Sequence, residues 1–172
     1  MPTLLVRNAD VLVTMDDDRR EISGGGLFVR DGVIEAVGTT MELPVTADEI
    51  LDLKGHVVTP GLINTHHHFY QNLTRAVPIA QDATLFDWLR TLYPIWSRIG
   101  PDEIRVSTLV ALAELALSGC TCSSDHLYIF PNGARLDDEI EAAREIGVRL
   151  HAGRGAMSIG ESNGGLPPDS LA

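Results

Sequence analysis

The chain has 172 residues, 44% of them hydrophobic and 22% charged, with a formal net charge of −11. That is apolar material enough for a folded core, which excludes a disordered chain, and acidic enough to oppose binding to nucleic acid or acidic lipid. No basic leader opens the sequence and no window reaches the roughly 18 apolar residues of a membrane span, so the expected partner is a small molecule and the expected setting cytoplasmic.

The first part of the chain reads as short β-type runs: LLVRN (4–8), DVLVTM (10–15), GLFVR (26–30), VIEAVG (33–38) and EILDL (49–53). Asp31-Gly32 between two of them is the dipeptide of a tight hairpin turn, and Lys54-Gly55 marks another turn. A small antiparallel β-domain over 1–58 is expected, with Gly24-Gly25-Gly26 as a flexible loop. From residue 59 the grammar changes to alternating strand and helix, the pattern of βα units on a parallel sheet. LINTH (62–66), CTCSSDH (120–126) and VRLHAGRG (148–155) are the expected strands. The first helix, LFDWLRTLYPIWSRI, is capped by Asp82 or Thr84 and must kink or divide at Pro94. The second opens at Pro101 and stops at Gly119; the third, LDDEIEAAREIG (136–147), has an acidic start and a glycine stop. The closing ESNGGLPPDSLA reads as loop.

Asp16-Asp17-Asp18 reads as a solvated turn, and Asp137-Asp138-Glu139 as a favourable helix N-terminus. Cys120 and Cys122 lie two apart in a strand, a Cα separation of about 6.6 Å that is near the limit for a disulfide. They read as reduced core thiols.

The stretch richest in chemistry is PGLINTHHHFYQNLTRAVP, residues 60–78. Residues two apart on a strand share a face, so His66 and His68 project together while His67 points away. Two such imidazoles can converge on one Zn²⁺ at about 2.0–2.1 Å, leaving places for further ligands and water. A polar loop or an adventitious metal patch is the alternative reading of the triplet.

Pro60-Gly61 leading through Leu62-Ile63-Asn64-Thr65 into His66-His67-His68 resembles the signature of the amidohydrolase superfamily. The continuation HHHFYQNLTRAVP, with AQDATLFDWLRTLYPIW, SGCTCSSDHLYIFPNG and HAGRGAMS, is similar to the cyclic deaminases and most to their 8-oxoguanine deaminase branch. The resemblance implies a small β-sandwich followed by a metal-dependent (β/α)8 TIM barrel, of which about three strands are present over 59–172. It implies one zinc ion held in part by His66 and His68, and hydrolytic removal of an amino group from an oxidised purine, 8-oxoguanine giving urate and ammonia. A complete enzyme of this kind could assemble as a homo-oligomer. Guanine, pterin and hydroxytriazine deamination, cyclic amide hydrolysis and an inactive metal-binding fragment stay open as alternatives.

Gln71, just past the histidines, resembles the residue that hydrogen-bonds a ring carbonyl, since its amide both donates and accepts. Arg154, at the end of the third strand, offers a guanidinium fork either to substrate or to a structural ion pair. His126 is placed to enter the pocket or to make a structural hydrogen bond; His151 reads as packed, His56 as a surface or inter-domain residue, and Trp88 and Trp96 as packed on one helical face, with a lid as the sharper alternative for the two tryptophans. No catalytic acid or base is assigned within these residues. Eight βα units take about 250 residues, so the expectation is an N-terminal part of a longer protein.

Overall fold

Apolar alternation in the first sixty residues produces one long hairpin sheet. In the computed structural model, which describes residues 1–172, the chain divides into two units, Met1–Pro60 and Gly61–Ala172. Strands β1 (Thr3–Val13), β2 (Glu21–Arg30), β3 (Val33–Thr39), β4 (Glu49–Asp52) and β5 (Val57–Val58) form a single sheet in the first unit. β2 pairs antiparallel with β1 and β3, whereas β4 and β5 both run parallel to β1. The all-antiparallel expectation is corrected there: a connection of several residues after β3, including a 3₁₀ turn at Thr40–Glu42, brings the chain back in the direction of β1. Asp31 and Gly32 have φ of 50° and 78°, as the tight turn requires.

Two further expectations change in this unit. LLVRN and DVLVTM are one strand, because the break at Asn8 (φ 59°) is absorbed as a register shift between Val6 and Ala9. Gly25 and Gly26 belong to β2 rather than to a flexible loop. A Cβ on Gly25 would stand 2.7 Å from the Leu12 Cβ, and one on Gly26 would collide with the Val6 carbonyl, so the glycines let β2 lie close on β1. Leu5, Phe28 and Leu43 close the small core beneath.

In the second unit three parallel strands, β6 (Leu62–Asn64), β7 (Cys120–Leu127) and β8 (Arg149–Arg154), lie in that order. Helices α1 (Leu85–Trp96), α2 (Pro101–Leu117) and α3 (Leu136–Ile146) connect and cover them. Thr84 is the N-cap of α1, with its hydroxyl on Asp87 at 2.7 Å. Pro94 neither divides nor ends that helix, which runs on through it to Trp96. Gly147 ends α3 with φ 78°, and Gly119 follows α2 with φ 87°. Leu62 and Ile63 on the edge strand β6 are 61% and 69% exposed. Both cysteines are free; Cys120 is buried and Cys122 half-buried. His151 is exposed, against the expectation of packing, because its side chain stands on the outward face of β8. His56 is exposed as well. The terminal loop is partly ordered into 3₁₀ turns at Glu161–Asn163 and Asp169–Leu171.

The main core gathers Tyr70, Leu92, Tyr93, Trp96, Ile104, Leu127 and Ile129. Trp96 packs edge-on against Trp88, Tyr70 and Tyr93, and its indole N–H donates to Thr74 Oγ1 at 2.9 Å. Asn132, with φ 52°, donates through its amide to the carbonyls of Ser97 (3.0 Å) and Ile99 (2.8 Å), just past the end of α1. Asp137-Asp138-Glu139 opens α3 as expected, and Glu139 is not at the surface. It is fully buried, on the same face of α3 as Ala142 and Ala143. No helix is long and apolar enough to cross a membrane.

Candidate metal centre

β6 ends at Asn64, two residues before the histidines, so the expected strand over 62–66 is shorter than its sequence pattern. What places His66 and His68 is the segment that follows. Phe69 and Tyr70 are both fully buried and open a 3₁₀ turn over Phe69–Thr74. Phe69 packs with Ala111, Leu112 and Ala143 of the helical layer, and its carbonyl accepts a short hydrogen bond from the Ser107 hydroxyl. At the far end of the turn Arg75 makes a two-pronged bond to Glu114 of α2, at 2.6 and 2.7 Å. The chain is thus pinned on one side of the histidines by apolar burial and on the other by β6.

The three imidazoles separate as the alternation of side chains demands. His66 and His68 sit together, ring centroids 5.1 Å apart and nearly perpendicular. His67 lies against Phe69 at 4.8 Å, with its Nδ1 buried and without a partner. Strand β7 runs alongside: the His126 N–H donates to the His67 carbonyl at 3.0 Å, and His68 Nδ1 is 2.8 Å from the His126 carbonyl. A carbonyl can only accept, so Nδ1 of His68 carries the proton and its Nε2 keeps a free lone pair. Burial holds His68 below the ordinary imidazole range, against the opposing hydrogen bond to the His126 carbonyl; burial, and the neighbouring His68 ring, hold His67 down as well. A neutral imidazole is the form that can ligate a metal.

His66, His67, His68 and Gln71 line one groove of ≈ 430 Å³ together with Arg75 and Trp88. Gln71 Nε2 donates to the hydroxyls of Tyr70 (3.2 Å) and Tyr128 (3.4 Å). Arg154 is not among the lining residues. Its guanidinium lies 4.8 Å over the Phe130 ring, donates to the Gly155 carbonyl at 3.3 Å, and lines a separate cavity with Tyr128 and Met157. The ion pair considered for Arg154 is replaced by this stacking. His126 acts through its backbone, and its ring lies near those of His68 (5.7 Å) and Tyr128 (5.6 Å).

No three His, Cys, Asp or Glu side chains converge as a metal set. The pair His66 and His68 fits zinc in donor type, and fills at most half of a tetrahedral shell. Trp88, for which a lid over the pocket was the sharper alternative, lines the groove, whereas Tyr128, which touches Gln71, was not singled out from the sequence. The signal for Tyr128 was available, since it follows directly on the strand that ends in Leu127.

Comparison with known proteins places this arrangement. The profile of the amidohydrolase family matches residues 57–169. The chain is 48% identical to the 8-oxoguanine deaminase of Pseudomonas aeruginosa over 149 residues, covering 85% of this chain and 33% of that protein. It is 36% identical to the hydroxydechloroatrazine ethylaminohydrolase of Pseudomonas sp. (strain ADP), covering 99% of this chain and 38% of that one. Among solved structures, atrazine chlorohydrolase from Arthrobacter aurescens complexed with zinc superposes with a TM-score of 0.85 at 30% identity, over 98% of this chain and 39% of that one. This chain therefore spans about a third of the length of the curated relatives it matches. The shared α/β fold, the extent of the profile match and the paired histidines at the end of the first parallel strand agree, and the chain belongs to the amidohydrolase family.

Proposed function

We propose that His66 and His68 supply two imidazole ligands to one zinc ion in a hydrolytic deaminase whose substrate is an amino-oxo heterocycle of the 8-oxoguanine kind. The observation that carries this reading is the committed Nδ1 of His68, which leaves Nε2 free beside His66 in an open groove. Likeness to 8-oxoguanine deaminase and to a zinc-bound chlorohydrolase supports the substrate class and the metal. Bound zinc supplies a water whose pKa is lowered toward neutrality, a nucleophile for an amine-bearing ring carbon.

The chain's own residues bind and orient. The Tyr70 and Tyr128 hydroxyls hold the Gln71 amide at the groove, where it can pair with the edge of an oxo ring. Burial drives the Tyr70 phenol well above its ordinary range, so it stays protonated and can fill this role across the working pH. Trp88 gives the groove a flat apolar wall. No carboxylate lines the groove, so proton transfer to the departing amine is not assigned to these residues.

The test is a zinc titration followed by the histidine-ring NMR signals of the chain and of His66→Ala, His67→Ala and His68→Ala. The His66 and His68 variants are expected to lose saturable binding, and the His67 variant to keep it. Equal loss in all three would overturn the assignment. For the substrate, 8-oxoguanine binding to the zinc-loaded chain is expected to weaken roughly 5- to 150-fold in Gln71→Leu, the cost of about 1–3 kcal/mol for one lost hydrogen bond at a desolvated site. Unchanged affinity would remove Gln71 from the site.

A further inference from the structure

Two acidic side chains lie fully inside the second unit and outside the groove. Asp125 on β7 is 1% exposed, and Glu139 in the first turn of α3 is 0% exposed. They face one another, and Asp125 Oδ2 and both Glu139 oxygens find no other donor. Two buried carboxylates in contact would combine desolvation with repulsion. One shared proton would remove the conflict, with Glu139 keeping its proton and Asp125 carrying the single negative charge. Burial pushes both groups up; the charge of Asp125 drives Glu139 further, whereas the Phe69 N–H and Glu139 partly offset the rise at Asp125.

The other oxygen of Asp125 points at the histidine segment. Oδ1 accepts the Phe69 N–H at 2.6 Å, one residue after His68. The neighbouring His126 grips the same segment twice through its backbone, at the His67 carbonyl and at His68 Nδ1. Residues 67–69 are therefore held at three successive points by two residues of β7. Stability alone does not account for the acid pair, since an apolar pair of similar volume is often as stable in such a place. Resting on the zinc reading above, we infer that Glu139 and Asp125 form a positioning pair for the metal-binding histidines: Glu139 fixes the Asp125 carboxylate, and Asp125 fixes the backbone that aims His68.

The inference is tested by zinc titration of the intact chain, read from the His66 and His68 ring signals and accompanied by thermal melting. Asp125→Ala is expected to weaken zinc about 10- to 100-fold, the usual effect of removing an outer partner of a ligand, and Glu139→Leu about 10-fold. Glu139→Gln, whose amide still donates to Asp125, should bind within about 3-fold of the parent. His68→Ala separates the two readings. If it abolishes binding while Asp125→Ala and Glu139→Leu bind as the parent does and lose only thermal stability, the positioning role falls and the metal reading stands. If His68→Ala binds zinc as the parent does, the metal reading itself falls and takes the positioning role with it. A measurement on the unaltered chain covers variants that fail to fold: the Phe69 amide should be among the slowest-exchanging in the unit, and exchange at the rate of a surface amide would overturn the inference.

Discussion

Carboxylates behave in opposite ways at the surface of the first unit and in the core of the second. In the first, Asp16, Glu42, Asp48 and Asp52 are held below their ordinary range by hydrogen bonds at the surface: Asp16 by Arg20, down to about 2, Glu42 by Thr39, Asp48 by Thr3 and Asp52 by Asn8. In the second, burial pushes Asp125 up to about 6 and Glu139 up to about 9. The same chemical group thus ties down turns where water reaches it, and stores a proton where water does not. The contrast teaches that an acidic chain need not be acidic for one reason; of the carboxylates compared, the buried pair is the one beside the histidine segment.

The largest expected effect is on the pH dependence of stability. A carboxyl group raised in the folded state binds its proton more tightly there than in the unfolded chain. The Glu139 contribution is therefore full below about 4.5 and is lost as pH rises through about 9, and the Asp125 contribution is lost between about 3.8 and 6. One extra bound proton gives a slope of at most about 1.4 kcal/mol per pH unit. Thermal melts across this range should fall with rising pH, and Glu139→Gln should flatten the curve above pH 6; an unchanged slope in that variant would place the dependence elsewhere. Asp16 acts in the reverse sense, stabilising above about 3.8 and losing its effect as pH falls toward about 2.

Next in size is Trp96→Ala, which empties the centre of the aromatic cluster and removes a buried bond to Thr74; a loss of about 3–5 kcal/mol is expected from denaturant unfolding. Gly25→Ala probes the first unit in the same way. Its new Cβ would meet Leu12 and the Ile22 carbonyl, both at 2.7 Å, and overpacking of this kind costs about 1–3 kcal/mol. The smallest effect is expected for Asp16→Asn, whose ion pair with Arg20 is solvent-exposed, with melting at neutral pH within roughly one degree of the parent.

Much of the βα half was legible because its punctuation is chemical. Thr84, Pro101, Gly119 and Gly147 mark helix ends by the conformations they permit, and the structure places the ends there. The side-by-side histidines were legible from alternation alone, although the strand itself stops at Asn64. What was not read follows from using one cue at a time. Gly24-Gly25-Gly26 suggested flexibility, whereas close approach of a neighbouring strand selects the same residue type. Glu139 was grouped with the acids before it in sequence. Its spacing of three and four to Ala142 and Ala143 already put it on the inward face, and Asp125 shares a strand face with the buried Ser123 and Leu127. Arg154 was read from its place at a strand end; its stacking on Phe130 depends on a tertiary contact that no local pattern carries.

Asn132 gives the second unit a point of chemical ageing. Both hydrogens of its side-chain amide are used on the carbonyls of Ser97 and Ile99, 35 and 33 residues earlier in the chain. Asparagine is among the residues that heat and time degrade, and here it is followed by glycine. Hydrolysis to a carboxylate would leave size and shape almost unchanged while replacing two donors by none and setting a negative charge against two carbonyl oxygens. A change of one mass unit at this turn would therefore be felt at the far end of α1, where the chain leaves the aromatic core.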